Sequence, residues 1–170
     1  MIFNTLALDA DTEWLMLDST SVRVHQCAAR AKNLWQTSFR GGFSTKIHAL
    51  CDAPGNPLRF ILSPGQPSDY KQALNLRQGF QADAVLVDRS YDADYLIQAI
   101  HESEAETVIP ARKNRKQPRQ YDSWLYTERN LVECLFNKLK NFRRVATRYD
   151  KTDTAHLSFI HLAGIYLWLK

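Results

Sequence analysis

The chain reads as an α/β protein in which helices flank a mixed sheet. Three observations predict this: short, continuous apolar runs of strand length bounded by turn residues; amphipathic segments at helical spacing between and after them; and the order strand, hairpin, helix, strand, helix, strand, helices. A chain of 170 residues suits one domain, since that length buries roughly 70% of the surface exposed on unfolding. Hydrophobic residues make up 45%, with only 6 Gly and 6 Pro, which excludes a low-complexity or collagen-like chain. A net charge of +4 permits a polyanionic partner without demanding one.

The elements follow in order. EWLMLDS is a short apolar run, read as a buried strand ending at Asp18. VRVHQCAARAKNLWQTSFRGG is polar, basic and without clear period, and closes in a Gly41-Gly42 turn. FSTKIHALCD alternates Thr45, Ile47, Ala49 and Cys51 against Ser44, Lys46 and His48, as a strand does. The APGNP turn then leads into PLRFILS, so the two runs form an antiparallel hairpin. Asp52 opens that turn, which accounts for it. SDYKQALNLRQGF has Ser68 as N-cap, helical spacing and a Gly79 stop. ADAVLVD is a compact strand ending at Asp88, YDADYLIQAIHES a helix opened by Asp92 or Asp94, and ETVIPAR a further strand. The loop ARKNRKQPRQ holds five basic residues and no acidic one. A helix over YTERNLVECLFNKLK follows, then a terminal helix from about Asp153 to Leu169.

The helix after the basic loop is divided. At about 100° per residue, Tyr126, Arg129, Glu133, Asn137 and Lys140 fall within an arc of about 80°, opposite an apolar face containing Leu131, Val132, Leu135, Phe136 and Leu139. Open α/β sheets place their sites beyond the carboxyl ends of strands, where Asp18 and Asp88 sit. Three such carboxylates repel one another unless a cation lies between them, and hard oxygen donors suit Mg²⁺ or Mn²⁺. A two-metal phosphoryl-transfer site would explain the helix face: Glu133 as a ligand, Arg129 and Lys140 for phosphates, Tyr126 for a base or phosphate. Ordinary readings stand beside it. An Asp after a strand is often a turn or helix cap, and a Glu between Arg and Lys is often a solvated salt-bridge face.

Other chemistries have less support. The five histidines form no short-spaced metal motif, and Gly-rich phosphate loops and GxSxG are absent. Cys27, Cys51 and Cys134 are far apart, odd in number and without CxxC, which points to a reducing compartment. The first residues lack the pattern of a signal peptide, and the apolar LSFIHLAGIYLWL is shorter than the ~20 residues of a membrane span. A cytoplasmic location with no membrane partner is therefore expected.

Tyr126, Arg129, Glu133 and Lys140 match Y-x2-R-x3-E-x6-K, and with this signature the chain resembles bacterial insertion-sequence transposases of the DDE type, the insertion-sequence-five family in particular. LDSTSVRVHQ, GGFSTKIHALCDAPGNPLRFILSPGQPSDY, VDRSYDAD and RNLVECLFNKLKNFRRVATRYDKT resemble further blocks of that family, from about Trp14 to the terminus. The resemblance implies a ribonuclease H-like fold and a DDE triad of Asp18, Asp88 and Glu133. It also implies two Mg²⁺ (or Mn²⁺) ions and strand cleavage followed by strand transfer at element ends. Double-stranded DNA, at both element ends and target, would meet Tyr126, Arg129, Asn137 and Lys140, with Arg143 and Arg144 on the basic extension and Arg112, Lys113, Arg115 and Lys116 on the basic loop. A homo-oligomer on DNA and nucleoid association in a bacterial cytoplasm are further expectations.

Two departures stand out. Ser90 occupies a usual Gly position, so strain is expected there if the turn requires positive φ. Cys27 replaces a common His, which is expected to be harmless. Relatives carry an N-terminal region that helps recognise element ends, and 17 residues precede Asp18 here. The chain thus resembles a catalytic domain acting with, or fused to, an upstream-frame DNA-binding product. The alternative is an inactive remnant serving as a DNA-binding or regulatory fragment.

Overall fold

The computed structural model describes residues 2–29, 37–39, 42–65 and 69–170. Its elements are α1 (Ile2–Leu6), β1 (Trp14–Val24), α2 (Gln26–Ala29), β2 (Thr37–Phe39), β3 (Gly42–Cys51), β4 (Pro57–Pro64), α3 (Tyr70–Arg77) and β5 (Ala84–Val87). Then come α4 (Asp94–His101), β6 (Glu106–Val108), α5 (Ser123–Thr127), α6 (Asn130–Lys140), α7 (Arg143–Ala146), β7 (Thr147–Arg148) and α8 (Asp153–Trp168).

The described residues form a seven-stranded mixed sheet, ordered β2-β3-β1-β5-β6, with β4 also on β3 and β7 on β1. β1, β3 and β4 run antiparallel to their neighbours in turn, while β1, β5 and β6 are parallel. One apolar layer joins Met16, Val22, Ile47, Ala49 and Leu86 to Val132, Leu135, Phe136 and Leu139 of α6 and Ile160 and Ala163 of α8. The other joins Leu15, Leu17, Leu50, Val85 and Val87 to Ala73 and Leu76 of α3 and Leu96, Ile97 and Ile100 of α4. Alternation along β1 and β5 feeds both layers, which is why these strands are apolar on both faces.

Several boundaries differ from the sequence expectation. β1 does not end at Asp18; it continues to Val24, because β3 pairs with it as far as Arg23 and β7 pairs with Arg23 and Val24. The polar segment read as aperiodic therefore contributes Val22 to the core. β2 pairs with the start of β3, Phe39 opposite Gly42, whereas Gly41 lies outside the described residues, as does the Ser68 cap. The divided helix is broken: α5 ends at Thr127 and α6 begins at Asn130, so Tyr126 and Glu133 lie on different helices.

The hairpin is as expected, and its turn seats α6. Asp52 accepts from the Asn56 amide at 2.6 Å, and Gly55 adopts φ +89°. A Cβ added to Gly55 would lie 3.2 Å from Leu131 Cβ, so glycine serves both the backbone and the close approach. At the other end of α6, Arg148 is fully buried, donating to the Asp150 carbonyl at 3.0 Å and Thr45 Oγ1 at 3.1 Å and pairing with Asp153 at 2.6 Å. This arginine ties β7 and α8 to β3.

Candidate active site

Parallel pairing aligns Leu17 with Val87, so the next residues, Asp18 and Asp88, stand side by side at the end of β5. Asp88 is still extended (φ −75°, ψ 169°) and continues the face of Leu86, as Asp18 continues that of Met16. Both carboxylates therefore point to the α6 side of the sheet. α6 packs Val132, Leu135 and Phe136 onto that same face and carries Glu133 beside them, about half exposed.

Arg129 connects the first and third acids. Its Nη1 donates to Asp18 Oδ2 at 3.0 Å and its Nη2 pairs with Glu133 Oε1. The other Asp18 oxygen accepts from the Ser19 amide at 2.7 Å. Burial raises the Asp18 pKa and the neighbouring Asp88 charge adds to it, while the Ser19 amide and Arg129 offset part of the rise. Burial works against the charge of Arg129, but Asp18, Tyr126 and Glu133 outweigh it and hold the guanidinium protonated. Tyr126 flanks the arginine, 5.7 Å from its ring centroid, and meets Tyr121 edge-on at 5.6 Å.

A group that sequence reasoning missed lies on the opposite face. Asp69 accepts from Ser19 Oγ at 2.8 Å and pairs with Lys46 at 2.7 Å. Beside it, Tyr91 is fully buried; burial first, then Asp69, Asp18 and Asp88, push its phenol well above the usual range. The available signal was the polar alternation Ser44, Lys46, His48 along one face of a strand whose other face is apolar. A strand buried on both sides carries such residues only when partners await them.

The remaining expected residues divide. Asn137 and Lys140 are exposed on the side of α6 that carries Glu133. Arg144 pairs with Asp150 at 2.6 Å and stacks 4.1 Å from the Phe159 ring; Arg143 lies 5.7 Å from that of Tyr149. Among the described residues Glu104 is the single non-glycine at positive φ, so Ser90 is unstrained, and its amide donates to the Asp88 carboxylate. Asp92 does not open α4. It is buried and bound by Arg115 and Arg119, and α4 starts instead after Ala93, with Asp94 in its first turn.

The carboxylates have the chemistry that suits a hard cation. Two adjacent carboxylates that repel, and a third reached through a guanidinium standing where positive charge is needed, form a donor set of hard oxygens. Among the described residues, however, no three His, Cys, Asp or Glu side chains are gathered as a ready metal cluster. Arg129 stands between Asp18 and Glu133, and Asp88 lies beside Asp18.

The family described as Transposase DDE domain matches residues 9–168. The chain belongs to that family. It is 42% identical over 129 residues to a putative transposase for insertion sequence element IS6501 of Brucella ovis, covering 75% of this chain and 99% of that protein. It is 28% identical over 130 residues to a putative transposase for IS402 of Burkholderia cepacia, covering 69% of this chain and 59% of the relative. The structure superposes on the piggyBac transposase in a synaptic complex with hairpin DNA with a TM-score of 0.63 and 11% identity, over 92% of this chain and 46% of that one. A transposase DDE domain with a ribonuclease H-like fold is what the sequence resemblance implied. No described helix is long and apolar enough to cross a membrane.

Proposed function

We propose that this transposase domain cleaves DNA strands at insertion-sequence ends and transfers them to target DNA, with Asp18, Asp88 and Glu133 as its catalytic acids. The observation that carries this reading is the pairing of Leu17 with Val87, which brings two sequence-distant aspartates to one edge facing the helix of Glu133. Asp18, Asp88 and Glu133 would hold two Mg²⁺ (or Mn²⁺) ions, which when bound lower the pKa of the attacking oxygen and stabilise the leaving oxygen.

The chain's own residues have separate tasks. The Ser19 amide fixes one Asp18 oxygen and the Ser90 amide fixes Asp88, so the first two acids are oriented by backbone donors one and two residues further along the chain. Arg129 leaves the acids for a phosphate of the bound strand, Lys140 and Asn137 contact the backbone further along α6, and Tyr126 packs against a base or phosphate. Double-stranded DNA is the partner, engaged by a homo-oligomer.

The second reading is a non-catalytic DNA-binding or regulatory fragment. It is favoured by Arg129, which already neutralises Asp18 and Glu133. A nicking assay separates the two, using a supercoiled plasmid carrying element ends, Mg²⁺, and the chain alone or fused to its upstream product. Nicking and end joining above the Asp88→Ala background are expected. Equal nicking by parent and Asp88→Ala in both forms refutes the enzyme reading.

A further inference from the structure

The basic loop between β6 and α5 does not present its five cations alike. Arg115 Nε donates to Asp92 Oδ2 at 2.8 Å and its Nη2 to Asp94 Oδ1 at 2.9 Å. Arg119 Nη1 donates to the other Asp92 oxygen at 3.0 Å, and its Nη2 also reaches Asp94. The Arg112 amide donates to Asp92 at 2.9 Å, while its guanidinium donates to the Ser90 carbonyl at 2.7 Å and lies 5.8 Å from the Tyr70 ring centroid. The Asp92 side chain is 1% exposed. Burial alone would raise its pKa, yet the bonds from Arg115 and the Arg112 amide and the charges of Arg115 and Arg119 hold it below the usual range. Lys113 and Lys116, by contrast, are exposed, and neither forms an ion pair among the described residues.

This division has a physical logic. Ordering a loop costs about 1–2 kcal/mol per residue, so a loop with no task is ordinarily left loose. Here a buried carboxylate and three arginines order it, and guanidinium forks suit fixed carboxylates better than ammonium groups do. Arg112 further binds the loop to the turn directly after Asp88. Lysines carried on a ridge ordered in advance lose less freedom when they meet an anion.

We infer that residues 111–120 form a preordered DNA-contacting ridge beside Asp88, in which Lys113 and Lys116 touch backbone phosphates and Arg112, Arg115 and Arg119 are positioning residues anchored on Asp92 and Ser90. Of the loop residues expected to contact DNA, it assigns that contact to Lys113 and Lys116 and a positioning role to Arg112 and Arg115. It rests on the DNA-acting function proposed above, narrowing it to two side chains.

The test is metal-free equilibrium binding of the full chain to a short labelled duplex across a KCl series. Each phosphate contact contributes about 0.9 to the slope of log K against log salt. Combined Lys113→Gln and Lys116→Gln substitutions should make the slope shallower by about 1.8, with an unchanged melting temperature. Combined Arg115→Gln and Arg119→Gln substitutions should leave the slope intact and speed hydrogen exchange of the loop amides. An unchanged slope in the lysine variant, or an equal loss of slope in the arginine variant, overturns the inference. The lysines are exposed, so their arm stands even where the arginine variant fails to fold. Because no cleavage is read, loss of nicking with the slopes as expected would count against the catalytic proposal alone.

Discussion

Replacing Arg129 by Gln removes a cation from between two carboxylates and leaves a shorter, neutral amide in its place. Arg129 is 14% exposed and Asp18 21%, with 3.0 Å between their nearest atoms, so this pair is largely sheltered from solvent. Glu133 is 49% exposed, and its share is correspondingly screened. A half-sheltered pair of this kind contributes roughly 2 kcal/mol, between the values for surface and buried ion pairs. A divalent ion binding at Asp18 must displace that guanidinium or sit against its charge. Removing it should therefore tighten Mn²⁺ binding in the absence of DNA by about thirtyfold, which is what 2 kcal/mol corresponds to. Mn²⁺ titration by electron paramagnetic resonance at low salt measures this directly, with Asp88→Ala as the variant in which affinity is lost. Equal or weaker Mn²⁺ binding by Arg129→Gln would show that Arg129 does not compete for the acids. The same variant should lose nicking activity, since the phosphate contact goes with the charge.

Other consequences follow from the packing. Arg148→Gln removes a fully buried guanidinium from its pair with the partly exposed Asp153 and should cost about 3 kcal/mol in urea unfolding; a loss below about 1 kcal/mol would mean that the Asp153 pair is dispensable. Burial pulls both His48 and His156 down from 6.5 to about 4. Their folded pKa values lie below the unfolded one, so their contribution is complete above pH 6.5 and is lost as pH falls toward 4, by roughly 3 kcal/mol each. His156→Leu should flatten the fall of stability between pH 6.5 and 4.5, and an unaltered pH slope would contradict this assignment. Gly55→Ala should destabilise the fold by about 1–2 kcal/mol, because φ is +89° and Leu131 is close. Its melting temperature should fall, and nicking should weaken through displacement of α6; an unshifted melt would remove the turn from the account of how Glu133 is placed.

The fold class, the β3–β4 hairpin, the Asp88 strand and α8 were legible because each is specified by local periodicity and turn chemistry. The three acids were legible as candidates from their places after apolar runs and on a polar helix face. Local pattern could not show that β1 runs on past Asp18, since that extension depends on pairing with β3 and β7 at residues distant in sequence. Nor could it show the break before Asn130, where helical spacing continues across a turn that tertiary packing bends. The roles of Asp69 and Asp92 were hidden for the same reason. Each is an ordinary-looking aspartate near a helix start until Lys46, or Arg115 and Arg119, arrives from elsewhere in the chain.

By itself, then, the sequence determined which residue types lie on which face of each element, because side-chain periodicity is a property of the local backbone. Strand order, parallel register and the choice of ion-pair partners were decided only in three dimensions, where the burial of both sheet faces sets Asp18 beside Asp88 and Arg129 between Asp18 and Glu133. Apolar burial acts over area and fixes the layers. Charges then pair at a few ångströms with whatever those layers bring near, which no spacing along the chain encodes.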